Sequence, residues 1–219
     1  MPKHRKSKFV RREDSSFWHV ITMPIAAQRS LRLDDTMSSF AVQHDVTKIL
    51  DGLYVGGRGV VDDLMAIQSL GITHVVNCTE DIPNFFDDTL EYLRVPVPDD
   101  PESPIDEYFP VVVHFIQNAR DKGQTCLVHC SHGMSRSATF ILVYLIERHG
   151  MSVLEALQYT RTLRPVISPN VGFMSKLLDL ERHTHQLCSV DLQKYRKDRF
   201  AAIEELVMLS PANERVVDA

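Results

Sequence analysis

The sequence predicts an α/β fold in which a small mixed central sheet is flanked by helices. Three observations carry that prediction. From about Asp45 onward, short apolar and β-branched runs alternate with segments of helical period. Strand-like runs come first and helical ones gather late, the order expected of a mixed sheet with helices packed against it. The run "TCLVHC" passes through a few short polar residues straight into "SATFILVYLIERHG", which is apolar almost all round and closes at Gly150, so the chain makes a tight strand-to-helix turn there. A chain of 219 residues, 44% hydrophobic and 24% charged, suffices for one substantial core with extra segments at its ends.

The elements follow in order. Residues 1–45 read as an N-terminal extension, basic and partly disordered, with six Lys/Arg in the first twelve positions and then the apolar patch "FWHVITMPIAA". His19, Thr22 and Pro24 interrupt that patch, and Glu13 and Asp14 precede it, which argues against a signal peptide. Trp18 and its neighbours are candidates to pack on the domain. Residues 46–188 form the main domain. In it, "VTKILDGLYVGG" reads as one or two short strands ending in a glycine turn, "DDLMAIQSLG" as a short helix stopped by Gly71, "THVVNC" as a buried strand and "LEYLRVPV" as a more exposed one. Next, "SPIDEYFPVVVHFIQNARDKG" predicts a helix with Ser103 as N-cap, Pro104 in its first turn and a stripe of Phe109, Val112, Val113 and Ile116. Pro110 fits that helix only near its start or at a kink. Beyond the central helix, "SVLEALQYTRTL" carries the Ser152 to Glu155 spacing of a capping box, and "NVGFMSKLLDLERHT" is a further helix. Residues 189–219 read as a C-terminal helical extension and tail, with one long helix from Val190 to Leu209 whose Phe200, Ile203 and Val207 share a face and pack on the core.

Composition excludes several classes. The net charge of -5 and pI near 6.0 argue against nucleic acid as a general partner. The longest apolar run, Ala138 to Ile146, is roughly half of the ~20 residues that cross a bilayer, so no membrane partner is expected. Cys78, Cys126, Cys130 and Cys188 show neither a disulfide framework nor CxxC spacing. They point to a reducing, intracellular setting, cytoplasmic with a nuclear location left open. His183 and His185 lie on an expected exposed helix without matching ligands, and neither a metal nor a cofactor is expected.

The chemistry concentrates in "VHCSHGMSRSAT". A turn between a strand and a helix N-terminus gathers backbone N–H groups into one concavity, to which the helix dipole adds positive potential. Such a nest takes a phosphate-like dianion. Ser131, His132, Gly133, Met134 and Ser135 would line it, with Gly133 permitting the turn and Arg136 clamping two oxygens in its planar fork. Cys130 would lie at its base, where the same field favours thiolate; a free thiol is only about 3% ionised at pH 7.

The motif His129-Cys130, five residues, Arg136 resembles the HCx5R signature of the cysteine-based protein phosphatases, and within them the dual-specificity branch. "DGLYVGG", "GITHVVNCTE", "EYLRVPVPDD" and "RPVISPNVGFMSKLLDLE" resemble that family in the same order, from about Val46 to Glu181. The resemblance implies a dual-specificity phosphatase-like fold with a strand, phosphate loop and helix forming the active site. It further implies a phosphorylated protein substrate, hydrolysis of phosphotyrosine and of phosphoserine or phosphothreonine through a cysteinyl-phosphate intermediate, and an atypical, stand-alone catalytic domain. Position by position, it makes Cys130 the nucleophile, Arg136 the phosphate clamp and Ser137 the hydroxyl that assists departure of the thiolate. His129 orients the loop and Asn170 braces it. The family spacing of seven positions from Tyr92 gives Asp99 as the acid, whereas composition leaves Asp99 and Asp100 equal. Cys78 resembles cysteines that pair reversibly with the nucleophile. His132 departs from the alanine of many relatives: it is expected at the exposed rim, and resembles the "HCTHGxNRTG" loop of RNA 5′-triphosphatases, although Ser135, Ser137 and Ala138 follow the protein-phosphatase pattern. An RNA 5′-phosphatase-like enzyme and a non-catalytic phospho-binding pseudophosphatase stay open as alternatives.

Overall fold

The computed structural model describes residues 45–208, so the expectations for the N-terminal extension, with Trp18 in it, and for the end of the C-terminal tail lie outside the described residues. Five strands form one sheet: β1 (Val46–Leu50), β2 (Leu53–Gly56), β3 (Ile72–Asn77), β4 (Glu91–Arg94) and β5 (Thr125–His129). The order is β1-β2-β5-β3-β4, with β1 antiparallel to β2 and every other pair parallel. This is the expected mixed sheet. Among the described residues the helices are α1 (Leu64–Ser69), α2 (Phe109–Asp121), α3 (Arg136–His149), α4 (Val153–Leu163), α5 (Val171–His185), α6 (Leu192–Lys197) and α7 (Arg199–Met208). None of them is long and apolar enough to cross a membrane.

Side-chain alternation divides the sheet into two faces. Along β5, Cys126 and Val128 face the larger core with Cys130 just beyond, while Leu127 faces a smaller one closed by α1 through Ala66 and Ile67. The larger core is built around α3, buried from Arg136 through Ile146, which packs on β2, β5, α2, α4 and α5. A helix surrounded on all sides has no polar face to offer, which is why its sequence lacks amphipathic period. Gly150 ends it in the left-handed conformation at φ 69°.

Local sequence accounts for most boundaries. Asp63 caps α1, and Ser152 with Glu155 closes the capping box of α4. Two expectations need correction. Ser103 makes no cap: a 3₁₀ turn over Ile105–Tyr108 precedes α2, which begins at Phe109, so Pro110 falls in the first turn, where no N–H is required of it. The apolar stripe of Phe109, Val112, Val113 and Ile116 is buried as expected. The single C-terminal helix is in fact two. Asp198 is extended at φ -154° and its carboxylate accepts from the N–H groups of Phe200 and Ala201, capping a new helix. The break leaves Phe200 54% exposed, while Tyr195, Ala202 and Ile203 join the larger core.

The pairing registers place the site. Gly56 and Asn77 both stand opposite His129, so β2, β5 and β3 end at one level. Cys130 therefore emerges outside the carboxyl ends of parallel strands, between two neighbours, where α/β sheets form their crevice.

Candidate active site

Because β5 ends at His129 and α3 starts at Arg136, residues 130–135 make the whole connection. Every carbonyl from Ser131 to Ser135 is turned outward and held. Ser131 O accepts from Arg58 N–H at 3.1 Å, Met134 O from Ser168 N–H at 2.8 Å and Ser135 O from Thr139 N–H at 2.8 Å. His132 O and Gly133 O accept from Arg164, at 3.0 and 2.9 Å. In a trans peptide the N–H points opposite to the C=O. Outward carbonyls therefore aim the following N–H groups into the turn, towards the start of α3, whose unpaired N–H groups and dipole add positive potential. Gly133 has φ 63°, and a Cβ there would come within 2.6 Å of Arg164 Nη2 and 2.7 Å of the Gly56 carbonyl carbon, so only glycine fits.

Cys130 lies at the base of this ring, 2% exposed. Its sulfur accepts from Gly133 N–H at 3.2 Å and from the Ser137 hydroxyl at 3.2 Å. Burial pushes the thiol up, but the Ser137 hydroxyl and the N–H groups of Ser137, His132 and Met134 outweigh it and hold Cys130 below the ordinary cysteine value. Arg136 is buried beside it: Nη1 donates to the carbonyls of Cys78 and Val97, and Nη2 to Ser131 Oγ at 2.8 Å. Its Nε is buried and has no partner among the described residues. His129 is 1% exposed, and burial first, then the charges of Arg136 and Arg94, hold its imidazole down to about 4, neutral at physiological pH.

Asp99 reaches the loop from the segment after β4. Its Oδ1 accepts from Ser135 Oγ at 2.7 Å and from Asn170 Nδ2 at 2.8 Å. Ser135 Oγ in turn accepts from Asn170 N–H at 3.0 Å, and Asn170 Oδ1 caps α5 by accepting from Phe173 N–H at 2.9 Å. Asp99 is thus tied at once to the loop and to the start of α5. Asp100 is occupied otherwise, its Oδ1 accepting from Glu102 N–H at 2.8 Å in a local turn. Composition left the two aspartates equal, and geometry separates them. Gly172 makes the approach possible, since a Cβ there would sit 1.8 Å from Pro101 O.

The remaining candidates fall into place around this center. His132 is exposed at the rim. Cys78, immediately after β3, is wholly buried; its N–H donates to His129 O at 2.9 Å, and its thiol is pushed well up by burial and then by Cys130. Both thiols are free. His183 and His185 are exposed on the last turn of α5, and no group of metal-binding side chains occurs among the described residues. Sequence reasoning missed Arg164, which grips two loop carbonyls, the side-chain role of Ser135 and the close approach at Gly172. The stretch "RPVISPN" contains Arg164, yet nothing local marks it as buried.

Similar proteins carry the same frame. The family model described as dual specificity phosphatase, catalytic domain, matches residues 53–183. Dual specificity protein phosphatase 14 of Homo sapiens is 42% identical over 137 residues, 63% of this chain and 69% of that protein. Dual specificity protein phosphatase 15 of Mus musculus is 34% identical over 175 residues, 78% of this chain and 72% of its own length. Among solved structures, the human tyrosine phosphatase-like serine/threonine/tyrosine-interacting protein superposes with a TM-score of 0.61 at 31% identity, covering 64% of this chain and 97% of that one. With the match running from β2 through the 130–136 loop and into α5, the chain belongs to the dual-specificity phosphatase family.

Proposed function

We propose that Cys130 is the nucleophile of a protein phosphatase that hydrolyses phosphotyrosine and phosphoserine or phosphothreonine, with Arg136, Asp99 and Ser137 as its partners. The observation that carries this reading is the position of Cys130 Sγ inside a ring of inward N–H groups, with Asp99 tethered to the same ring through Ser135. The phosphoryl oxygens take the place of acceptors for those N–H groups and for the guanidinium of Arg136, whose buried Nε lacks a partner among the described residues. The Cys130 sulfur attacks phosphorus and the bond to the substrate oxygen breaks. That oxygen leaves well only when protonated, and Asp99 supplies the proton. Both hydrogen bonds to Asp99 fall on Oδ1, leaving Oδ2 to carry the proton. In the second step Asp99 takes a proton from water, the water oxygen bonds to phosphorus, and the sulfur departs as thiolate. The Ser137 hydroxyl, 3.2 Å from Sγ, stabilises that departing charge. Asn170 and Ser135 hold the acid, and His129, buried and neutral, holds the loop.

The experiment is hydrolysis of an aryl phosphate and of phosphotyrosyl and phosphothreonyl peptides by the wild type and by Cys130→Ser, in reducing buffer containing a metal chelator. Turnover of all three that vanishes in Cys130→Ser is the expected result. Phosphopeptide binding without wild-type turnover would replace this reading with that of a phospho-binding protein.

A further inference from the structure

We propose that Arg164 is a positioning residue of this site, the side chain that sets the two central peptide planes of the 130–136 loop. The inference rests on the phosphatase reading of that loop and adds a part of its machinery that lies behind it. Arg164 follows α4, and its own N–H closes that helix on Thr160 O at 2.8 Å. The residue is 7% exposed. Nε donates to Gly133 O at 2.9 Å and Nη2 to His132 O at 3.0 Å. The carbonyls of Ser131 and Met134 are held by backbone N–H groups of neighbouring segments, and that of Ser135 by Thr139 N–H in the first turn of α3. Among the described residues, those of His132 and Gly133 are held by this one side chain.

Peptide planarity turns that grip into a property of the other side of the loop. Holding His132 O outward rotates the Gly133 N–H inward, and it is found 3.2 Å from Cys130 Sγ. Holding Gly133 O outward rotates the Met134 N–H inward, where it acts on the Cys130 thiol together with that of His132. A guanidinium suits the task because its donors diverge in one rigid plane and reach both carbonyls together; a lysine ammonium on a flexible stem cannot fix two planes. The fit is tight, since a Cβ on Gly133 would lie 2.6 Å from Arg164 Nη2.

The far end of the clamp is anchored in turn. Nη2 also donates to Asp45 Oδ1 at 2.6 Å, and Nη1 to Thr47 Oγ1 at 3.4 Å, at the beginning of β1. Asp45 is seated against Gly57, where a Cβ would stand 2.0 Å from Asp45 Oδ2. One carboxylate offsets the cost of burying the cation and fixes its orientation. Among the described residues the hydrogen bonds of the Arg164 side chain go to the loop carbonyls, Asp45 and Thr47 and none to Cys130, so its effect is exerted through the loop.

The test compares the wild type with Arg164→Lys, Arg164→Met and Asp45→Asn, using an aryl phosphate as substrate, orthovanadate as the oxyanion probe and iodoacetate alkylation of Cys130 against pH. Misplacing two donors is expected to lower kcat/KM for both Arg164 variants by roughly 10- to 100-fold and to weaken vanadate inhibition by a similar factor. Alkylation of Cys130 should move to higher pH. Asp45→Asn keeps an acceptor but loses the charge, and a smaller shift in the same direction is expected. A merely structural Arg164 lowers Tm but leaves the vanadate affinity and the alkylation profile of the folded protein at wild-type values; that outcome overturns the proposal. Should either Arg164 variant fail to fold, Asp45→Asn decides by the same two readouts. Unchanged readouts in an active enzyme remove the clamp and leave the phosphatase reading intact, whereas a wild type without turnover removes that reading itself.

Discussion

Cys126 and Cys130 stand four residues apart, one inside β5 and one just past its end, and both are at most 2% exposed. Burial pushes both thiols up. Cys126 stays well above the ordinary cysteine value, and Cys130 ends below it. The difference lies in which end of the peptide each sulfur meets. Cys126 Sγ donates to a carbonyl, Leu127 O, at 3.9 Å, and Cys78 Sγ likewise donates to Val76 O at 3.9 Å. A carbonyl stabilises the protonated thiol. Cys130 instead accepts, from Gly133 N–H and from Ser137 Oγ, because the carbonyls around it have been turned away. Burial alone keeps Cys126 inert, and it is overcome at Cys130 by the donors aimed at its sulfur, the Ser137 hydroxyl first and then the turned peptide N–H groups.

The largest expected effect follows directly. In a Cys188→Ser background, which removes the exposed thiol, iodoacetate at mildly acidic pH should modify Cys130 at least ~100-fold faster than Cys126 or Cys78. The sign follows from the direction of the shifts: a lowered thiol keeps its thiolate as pH falls through the ordinary cysteine range, and a raised one is protonated throughout it. Peptide mapping by mass spectrometry reads the rates. Comparable labelling of Cys126 would break the comparison.

A second contrast, between adjacent aspartates, is expected to be of similar size. Asp99→Asn should lower kcat for an aryl phosphate by roughly 100-fold, the usual scale for losing a general acid, and Asp100→Asn by no more than about twofold. The reverse order in steady-state assays would move the acid to Asp100. The loss in Asp99→Asn should shrink as the leaving phenol becomes more acidic, since such a group needs less protonation.

The smallest effect concerns Cys78. We expect mild peroxide to oxidise the Cys130 thiolate to a sulfenic acid, which the Cys78 thiol then attacks, forming the disulfide and releasing water. The yield is limited because burial keeps Cys78 protonated. Non-reducing peptide mapping checks it; Cys130 found as sulfinic acid with Cys78 unmodified excludes the pairing.

Much of this architecture is legible in short stretches of sequence, and what is illegible depends on distance. The glycine ending α3 and the capping box of α4 are local signals, and local physics honours them. The Cys130 loop is likewise legible, because its amides, glycine and arginine lie within one turn. The break at Asp198 was hidden because Phe200, Ile203 and Val207 all lie beyond it, so their helical spacing carries no information on whether the chain runs on unbroken from Leu192. Asp99 and Asp100 are chemically identical on the page, and only Ser135 and Asn170, 36 and 71 positions away, tell them apart. Arg164 is the extreme case. Its carboxylate partner lies 119 positions away, so nothing near it in the chain announces a buried charge.

The most direct test of the central claim is to trap the covalent intermediate. Ser137→Ala removes the hydroxyl 3.2 Å from Cys130 Sγ and should slow thiolate departure, so that acid-quenched protein taken during turnover of an aryl phosphate accumulates phosphate. Mass spectrometry is expected to find that phosphate on Cys130 and on no other residue. Continued turnover with no phosphate on Cys130, at any quench time, would contradict the account.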